Sequence, residues 1–506
     1  MEVARGILLS LLAALGCGVD APASVAERLP LTDTRRFVPV IAPLKEPQYP
    51  SLIDPDVRST LLQKGYGEWD EAAGEPCVDH IGPDDGPEVH KRGPKARRLL
   101  RFAYLTDVGI VDDESPARSV NADQPSMFSS AFRPQESEIC RMTNAMVRAL
   151  NDVHAREPLK FVLLGGNLID NAQSNELDWA LQILGGASKV ECDSADDTDL
   201  NRDVDDGKDP FAAPGLAMPF YWVTGNHDLL MQGALLATGP YAAFAVGEKP
   251  LPGFELRDFS QPGGLSSMGP TQADPRRAFL TRTHLMQRLA ADGDGHGLSN
   301  EQVESGKAFY TFDIAGTPLR FVVLDTVADS GSADGLLRQP DVDAYVRPML
   351  DRAKADAKWV VLVAHHRSTG LSDGAGFNGN VQLDALTTKQ WRELLGEYSN
   401  ILFSLAGHER ADHLDYVQPE NGHAFWELTS AALGDYPHQA RVVELWDEDN
   451  GFVALETVYV DMDMRKDPVA EQGRHLGLMD FTSGWNPQFA TGMTEQRNLR
   501  VFAKKP

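Results

Sequence analysis

Short apolar runs that stop abruptly at glycine, asparagine, aspartate or histidine recur along this chain, at residues 99–105, 161–164, 220–223, 321–324, 359–363 and 401–405. Runs of that length, rich in Val, Leu, Ile and Phe and closed by turn formers, predict buried strands. Between them, residues 137–155 and 175–184 carry apolar side chains at spacings of three and four, which predicts helices. Strands alternating with helices predict an α/β body, here spanning residues 96–465. Late in that body, 424–430 and 441–446 read as strands, and Asp447-Glu448-Asp449-Asn450-Gly451 ahead of 452–460 predicts a hairpin through its Asn-Gly pair. Residues 18–95, rich in Pro, Asp and Gly, predict an extended segment lying over the body. Residues 466–506 show little periodicity and predict a tail or loop.

In open α/β sheets, ligands bind just beyond the carboxyl ends of the strands. Here those ends carry Thr106-Asp107-Val108-Gly109, Gly165-Gly166-Asn167-Leu168-Ile169-Asp170-Asn171, Gly225-Asn226-His227-Asp228, Ala364-His365-His366 and Gly407-His408-Glu409-Arg410. In this order the series resembles that of the calcineurin-like metallophosphoesterases: Asp-x-His, Gly-Asp, Gly-Asn-His-Asp/Glu, His, then Gly-His-x-His. A group of exported bacterial members is similar in further segments, Glu114-Ser115-Pro116-Ala117-Arg118, Arg133-Pro134-Gln135-Glu136, Asn171-Ala172-Gln173-Ser174-Asn175-Glu176-Leu177 and Phe425-Trp426-Glu427-Leu428-Thr429-Ser430.

The resemblance implies a four-layer sandwich, two mixed sheets face to face with helices outside. It also implies a two-metal site that clamps a phosphate and makes a hydroxide nucleophile. Carried over position by position, Asp107, Asn226, His227, His365 and His408 match. Gly109 stands where the family has His, Gly166 where it has the bridging Asp, and Arg410 where it has the last His. The first metal is left with Asp107, a weak remnant. A guanidinium about 4 Å from a divalent cation costs roughly 8 kcal/mol at an effective dielectric near 20, against about 10–16 kcal/mol for a complete structural zinc site.

The second site keeps Asn226, His365 and His408, a set able to hold one divalent transition metal, Mn, Fe or Zn. His366 and His413 are spare imidazoles. Two functions follow as expectations. One is a non-catalytic or anion-binding descendant in which Arg410 holds a phosphorylated small molecule or other anion and no metal binds. The other is a weak phosphate-ester hydrolase, phosphomono- or diesterase, using one metal, with His227 as acid and Asp228 beside it in the catalytic set.

At 506 residues with 42% hydrophobic content, the chain can bury an enzyme-sized core. Its 74 acidic residues against 47 basic ones give a formal charge of −27, which argues against nucleic acid as a partner. The first 17 residues read as a signal peptide: an apolar run from Gly6 to Leu15, then Gly16-Cys17. A small residue before Cys17 resembles a lipobox, so Cys17 is expected to be lipidated and to anchor an exported protein on the cell envelope; an ordinary cleaved signal, leaving a periplasmic protein, is the alternative. No transmembrane segment follows. Cys77, Cys140 and Cys192 would then permit one disulfide and leave one thiol over. The run 197–203 has oxygen side chains at alternate positions, but Arg202 stands where a calcium loop needs Gly, so a solvated loop is expected. Residues 292–297 are expected to form a flexible loop.

Overall fold

The computed structural model describes residues 31–49, 51–123, 131–195, 205–249, 257–258, 264–265, 271–376, 380–486 and 492–506. The expected signal peptide with Cys17 and the acidic run 197–203 lie outside them. Two large sheets dominate. Their strands are β1 Val78–His80, β2 Arg97–Leu105, β3 Val162–Leu164, β4 Phe220–Trp222, β5 Tyr310–Asp313, β6 Leu319–Val323, β7 Trp359–Val363, β8 Ile401–Ala406, β9 His413–Val417, β10 Phe425–Thr429, β11 Gln439–Asp447, β12 Phe452–Asp461 and β13 Leu499–Lys504.

The seven-stranded sheet runs β1-β13-β12-β11-β2-β3-β4 and the six-stranded one β5-β6-β7-β8-β10-β9. Parallel pairs lie at one end of the first sheet, β2 with β3 and β3 with β4, and in the middle of the second, β6 with β7, β7 with β8 and β8 with β10. The Asn-Gly hairpin joins β11 and β12 as expected, antiparallel from Gln439 to Asp461.

The inner faces meet in an apolar core. Phe102 of β2 and Phe321 of β6 pack edge to face at 5.6 Å across the two sheets. A separate cluster, Val322, Leu362, Trp391, Leu394 and Leu350, seats outer helices on the six-stranded sheet. The other sheet is covered by α1 Ile139–Arg156, whose Met142, Met146, Leu150 and Val153 are fully buried at the predicted spacing. α2 Ser174–Gly185 opens with a capping box between Gln173 and Glu176. The result is the expected four-layer α/β sandwich. Because both faces of the central strands are covered, their sequences read as continuous apolar runs rather than alternating ones.

Two expectations are corrected at the ends of the chain. The predicted C-terminal loop contains α3 Pro468–Thr482, with Asp467 accepting from the Ala470 amide as N-cap, and then β13. β13 alternates, Leu499, Val501 and Ala503 facing the core, and it covers the edge that β12 would otherwise expose. The N-terminal segment is not simply extended: Arg35–Pro39 pairs with Trp69–Ala73, Pro55–Gln63 is helical, and β1 adds parallel to β13.

Cys140 of α1 is disulfide-bonded to Cys192. No cysteine among the described residues is a free thiol, so the left-over thiol expected from the count is not there. Residues 292–297 are likewise a packed turn: the His296 ring stacks on Phe220 at 3.6 Å, and its carbonyl accepts from the Trp222 amide.

Near that disulfide the Glu114 carboxyl is buried beside Asp113 and Lys208, whose Nζ is 2.6 Å from Asp113 and 3.4 Å from Glu114. Burial pushes Glu114 up to about 8; Lys208 opposes this and Asp113 and Asp112 add to it. An unfolded Glu ionises near 4.3. Between those values the folded chain holds a proton that the unfolded chain has released, so this group's contribution to stability falls as pH rises from about 4 to about 8. Glu114→Gln should therefore be most stabilising, relative to wild type, at the top of that range, as read by urea midpoints across it. An equal effect at both ends would show that Glu114 ionises normally.

Candidate metal centre

The carboxyl ends of β2, β3, β4, β7 and β8 converge where the two sheets meet. They bring Asp107, Asn167, the Asn226-His227-Asp228 turn, His365 and His408 to one place. Asp107, Asn167, His408 and Arg410 all have φ between 51° and 66°, a conformation that non-glycine residues rarely hold, and they hold it together here.

The Asp107 carboxylate is held by three hydrogen bonds. It accepts from Thr106 Oγ1 at 2.8 Å, the His408 amide at 2.9 Å and Asn167 Nδ2 at 2.9 Å. Asn167 also accepts from the His227 amide at 2.9 Å. Asn167, one position past Gly166, is thus the residue of this loop whose side chain reaches Asp107. Gly166 is corrected on steric grounds: a Cβ there would meet His365 Nδ1 at 2.4 Å, so no side chain could project from it. An amide in place of a carboxylate supplies a neutral oxygen, and it is turned so that the NH₂ group faces Asp107. At Gly109 the opposite holds. A Cβ would meet nothing within 4 Å, so a side chain has room there and none is supplied.

Arg410 lies nearly enclosed. Its Nε is 3.3 Å from Asp435 and 4.0 Å from Asp107, and its Nη2 is 3.3 Å from His227 Nε2. Burial, with the Arg133 charge adding to it, pulls the guanidinium below its usual value, while Asp435, Asp107 and Asp170 pull it back up. Arg133 is itself paired, donating to Asp435 at 2.9 Å and Asp170 at 3.2 Å. The cavity that Arg410, Arg133, Asp107, Asp170, His227 and Asp435 line is about 10 Å³. That is room for about one water and not for a phosphate. The expected anion-binding Arg410 is therefore a guanidinium already neutralised by carboxylates, a fixed cation in the first site.

His227 follows from these contacts. Nδ1 lies 2.8 Å from the Asp170 carbonyl and 3.1 Å from its carboxylate, both acceptors, so Nδ1 bears the hydrogen. Nε2 then accepts from Arg410, which can only donate. In that tautomer His227 has no proton to give a leaving group. Burial opposes ionisation of Asp170, but its hydrogen bond with His227 and the charges of Arg133 and Arg118 outweigh it and hold the carboxyl far below the usual range.

Asp228 is engaged by the backbone. Its carboxylate accepts the backbone N–H of Gly225 at 2.7 Å, Asn167 at 3.0 Å and Ile169 at 3.2 Å, pinning two site loops together.

The second site differs in kind. His365 Nδ1 donates to the Gly165 carbonyl at 2.7 Å, so Nε2 keeps its lone pair, and that atom is buried with no hydrogen-bond partner. Asn226 Nδ2 donates to the Gly233 carbonyl at 2.9 Å, and its Oδ1 is likewise buried and unpartnered. The His408 ring lies 5.3 Å from that of His365 and 4.4 Å from that of His366. The donor atoms of the three histidines fall within 4.8 Å of one another. Burial, reinforced by neighbouring positive and imidazole groups, holds all three below the ordinary histidine value, which keeps them neutral as metal ligands must be. His366 is not free to bind: Nε2 donates to the Ala333 carbonyl at 3.1 Å and Nδ1 accepts from Thr326 at 2.8 Å. His413, at the start of β9, is outside the cluster.

The chemistry of Asn226 Oδ1, His365 Nε2 and His408 suits one metal: the first two are buried donor atoms without a hydrogen-bond partner, and the His365 and His408 donor atoms lie within 4.8 Å of each other. Asn167, Asp170 and Arg133 stand in segments that the sequence singles out without giving them a role, whereas Asp435 stands in none of them.

No protein-family model matches the chain, and no curated protein matches it. Among solved structures, it is similar to a dimetal phosphatase from Danio rerio, at 12% identity, covering 72% of this chain and all of that one with a TM-score of 0.40. It is also similar to the sulfate thiohydrolase SoxB of Thermus thermophilus, at 11% identity, covering 75% of this chain and 60% of that one with a TM-score of 0.30.

Proposed function

We propose that this chain is an exported protein of the metallophosphoesterase type that binds one divalent transition metal through Asn226, His365 and His408 and does not carry out two-metal phosphate-ester hydrolysis. The observation that carries the reading is the pairing of two sites with opposite states. One has a guanidinium neutralised by Asp435 and Asp107 where a first cation would sit. The other keeps buried, unpartnered donor atoms on Asn226 and His365. A bound metal would supply Lewis acidity at the mouth of the site. The chain's own groups add little: His227 is tied between Asp170 and Arg410, and Asp107 is spent on hydrogen bonds. Export rests on the apolar run ahead of Gly16-Cys17; no helix among the described residues is long and apolar enough to cross a membrane.

The test is elemental analysis after exposure to manganese, iron and zinc, beside turnover of an aryl phosphate. The expected result is about one metal per chain, lost in His365→Ala and in His408→Ala, with turnover near the uncatalysed background. Two metals per chain would overturn the reading of Arg410, and none would overturn the second site. Metal-dependent turnover abolished by His365→Ala would instead make the chain a mononuclear hydrolase.

A further inference from the structure

Among the side-chain oxygens buried without a hydrogen-bond partner away from the histidine cluster, Asp123 Oδ1, Asp480 Oδ1 and Asn486 Oδ1 belong to residues that meet at one turn. Asp480 lies near the end of α3 and is 2% exposed; Asn486, in the turn that follows, is 5% exposed. The two are adjacent, since Asn486 Nδ2 donates to Asp480 Oδ2 at 3.3 Å and the Asn486 amide donates to the Asp480 carbonyl at 3.3 Å. Asp123 comes from a segment far away in sequence. Its other oxygen accepts from Trp485 Nε1 at 2.5 Å, which brings its carboxylate to the same turn.

Leaving one buried acceptor unpaired costs about 1–3 kcal/mol, and three gathered at one place are unusual in a folded protein. The charges nearby do not remove the difficulty. The strongest charge acting on Asp480 is the Asp123 carboxylate, and Asp435 repels it as well; Arg133 attracts it, but is already paired with Asp435 and Asp170. Burial pushes Asp123 up to about 8, and burial together with Asp123 pushes Asp480 well above the usual carboxylate range.

We propose that Asp123, Asp480 and Asn486 form a binding site for one hard divalent cation of the calcium class, which ties Asp123 to the C-terminal end of α3. The donors are all oxygens, two carboxylates and an amide, which suits calcium and not the transition metals that imidazole attracts. The competing arrangement is a proton shared by the two carboxyls with no cation.

The full chain, stripped of metal, is melted with and without calcium at about 5 mM, above the roughly 10⁻³ M of the weakest calcium modules. The His365→Ala variant is melted beside it, so that the histidine site cannot contribute. Calcium at about five times the dissociation constant should raise Tm of this 506-residue chain by about 1 °C in both, and a tighter site should raise it by more. Asp480→Asn and Asp123→Asn should lose that shift. Without calcium each should be as stable as wild type or more so, because a carboxyl whose ionisation burial opposes has been replaced by a neutral amide. No calcium shift in wild type, or a shift that persists in both variants, would overturn the site. Failure of the histidine site to bind metal would leave this result unaffected.

Discussion

Replacing Glu136 by glutamine should lower the unfolding free energy by about 3–5 kcal/mol, the usual cost of stranding one partner of a buried ion pair. The Arg118 side chain is fully buried, and Glu136 meets it with both carboxylate oxygens, one of them 2.7 Å from Nη2. Glu136 also accepts from the Arg133 amide at 3.0 Å. Once its charge is gone, Arg118 is left with the Ala131 carbonyl at 3.2 Å and the Asp170 carboxylate at 3.8 Å. Neither offers the two-pronged match of a facing carboxylate. The double variant Arg118→Met with Glu136→Met should recover much of the loss, since an apolar pair of similar volume has no charge to desolvate. Urea unfolding of the single and double variants measures both terms. A loss under about 1 kcal/mol for Glu136→Gln would mean that water reaches the pair. Because Arg118 also helps to hold Asp170, and Asp170 orients His227, the single variant should loosen the first site before the fold as a whole fails.

Asp228→Ala should have an effect of similar size by another route. It would leave three backbone N–H groups, of Gly225, Asn167 and Ile169, without their acceptor in a region closed to water. At about 1–3 kcal/mol for each buried unsatisfied group, a loss of about 3 kcal/mol or more is expected. The Asn226 turn is held by those bonds, so metal stoichiometry should fall with stability. Asp228→Asn keeps one acceptor oxygen and should fall between wild type and Asp228→Ala on both measures. A catalytic role for Asp228 would look different: the Asn variant would lose turnover while retaining both its metal and its stability. Denaturation and elemental analysis on the same preparations separate these outcomes.

Much of the architecture was legible along the chain because it rests on local pattern. The strands that became β2, β3, β4, β6, β7 and β8 were marked by apolar runs closed by turn formers, and the site residues follow those runs directly. β13 was missed although Leu499, Val501 and Ala503 alternate, because a six-residue strand after a stretch without periodicity offers too few repeats to stand out. The Asn-Gly hairpin was legible because its turn chemistry lies within five consecutive residues.

The state of each site was decided elsewhere. Residue identity alone established that Gly109 and Arg410 cannot ligate a metal, since neither a hydrogen atom nor a guanidinium has a lone pair to give. It could not establish what Arg410 does instead, because its partners Asp435, Asp107 and His227 come from three other loops. The tautomers of His227, His365 and His366 depend on carbonyls and hydroxyls brought in by folding, and so does the turning of Asn167 toward Asp107. The Cys140–Cys192 bond and the gathering of Asp123, Asp480 and Asn486 likewise join segments that nothing local relates. Periodicity and turn chemistry act over a few residues and can be read in order, whereas the charge and hydrogen bonding of a buried group are sums over whatever the fold places around it.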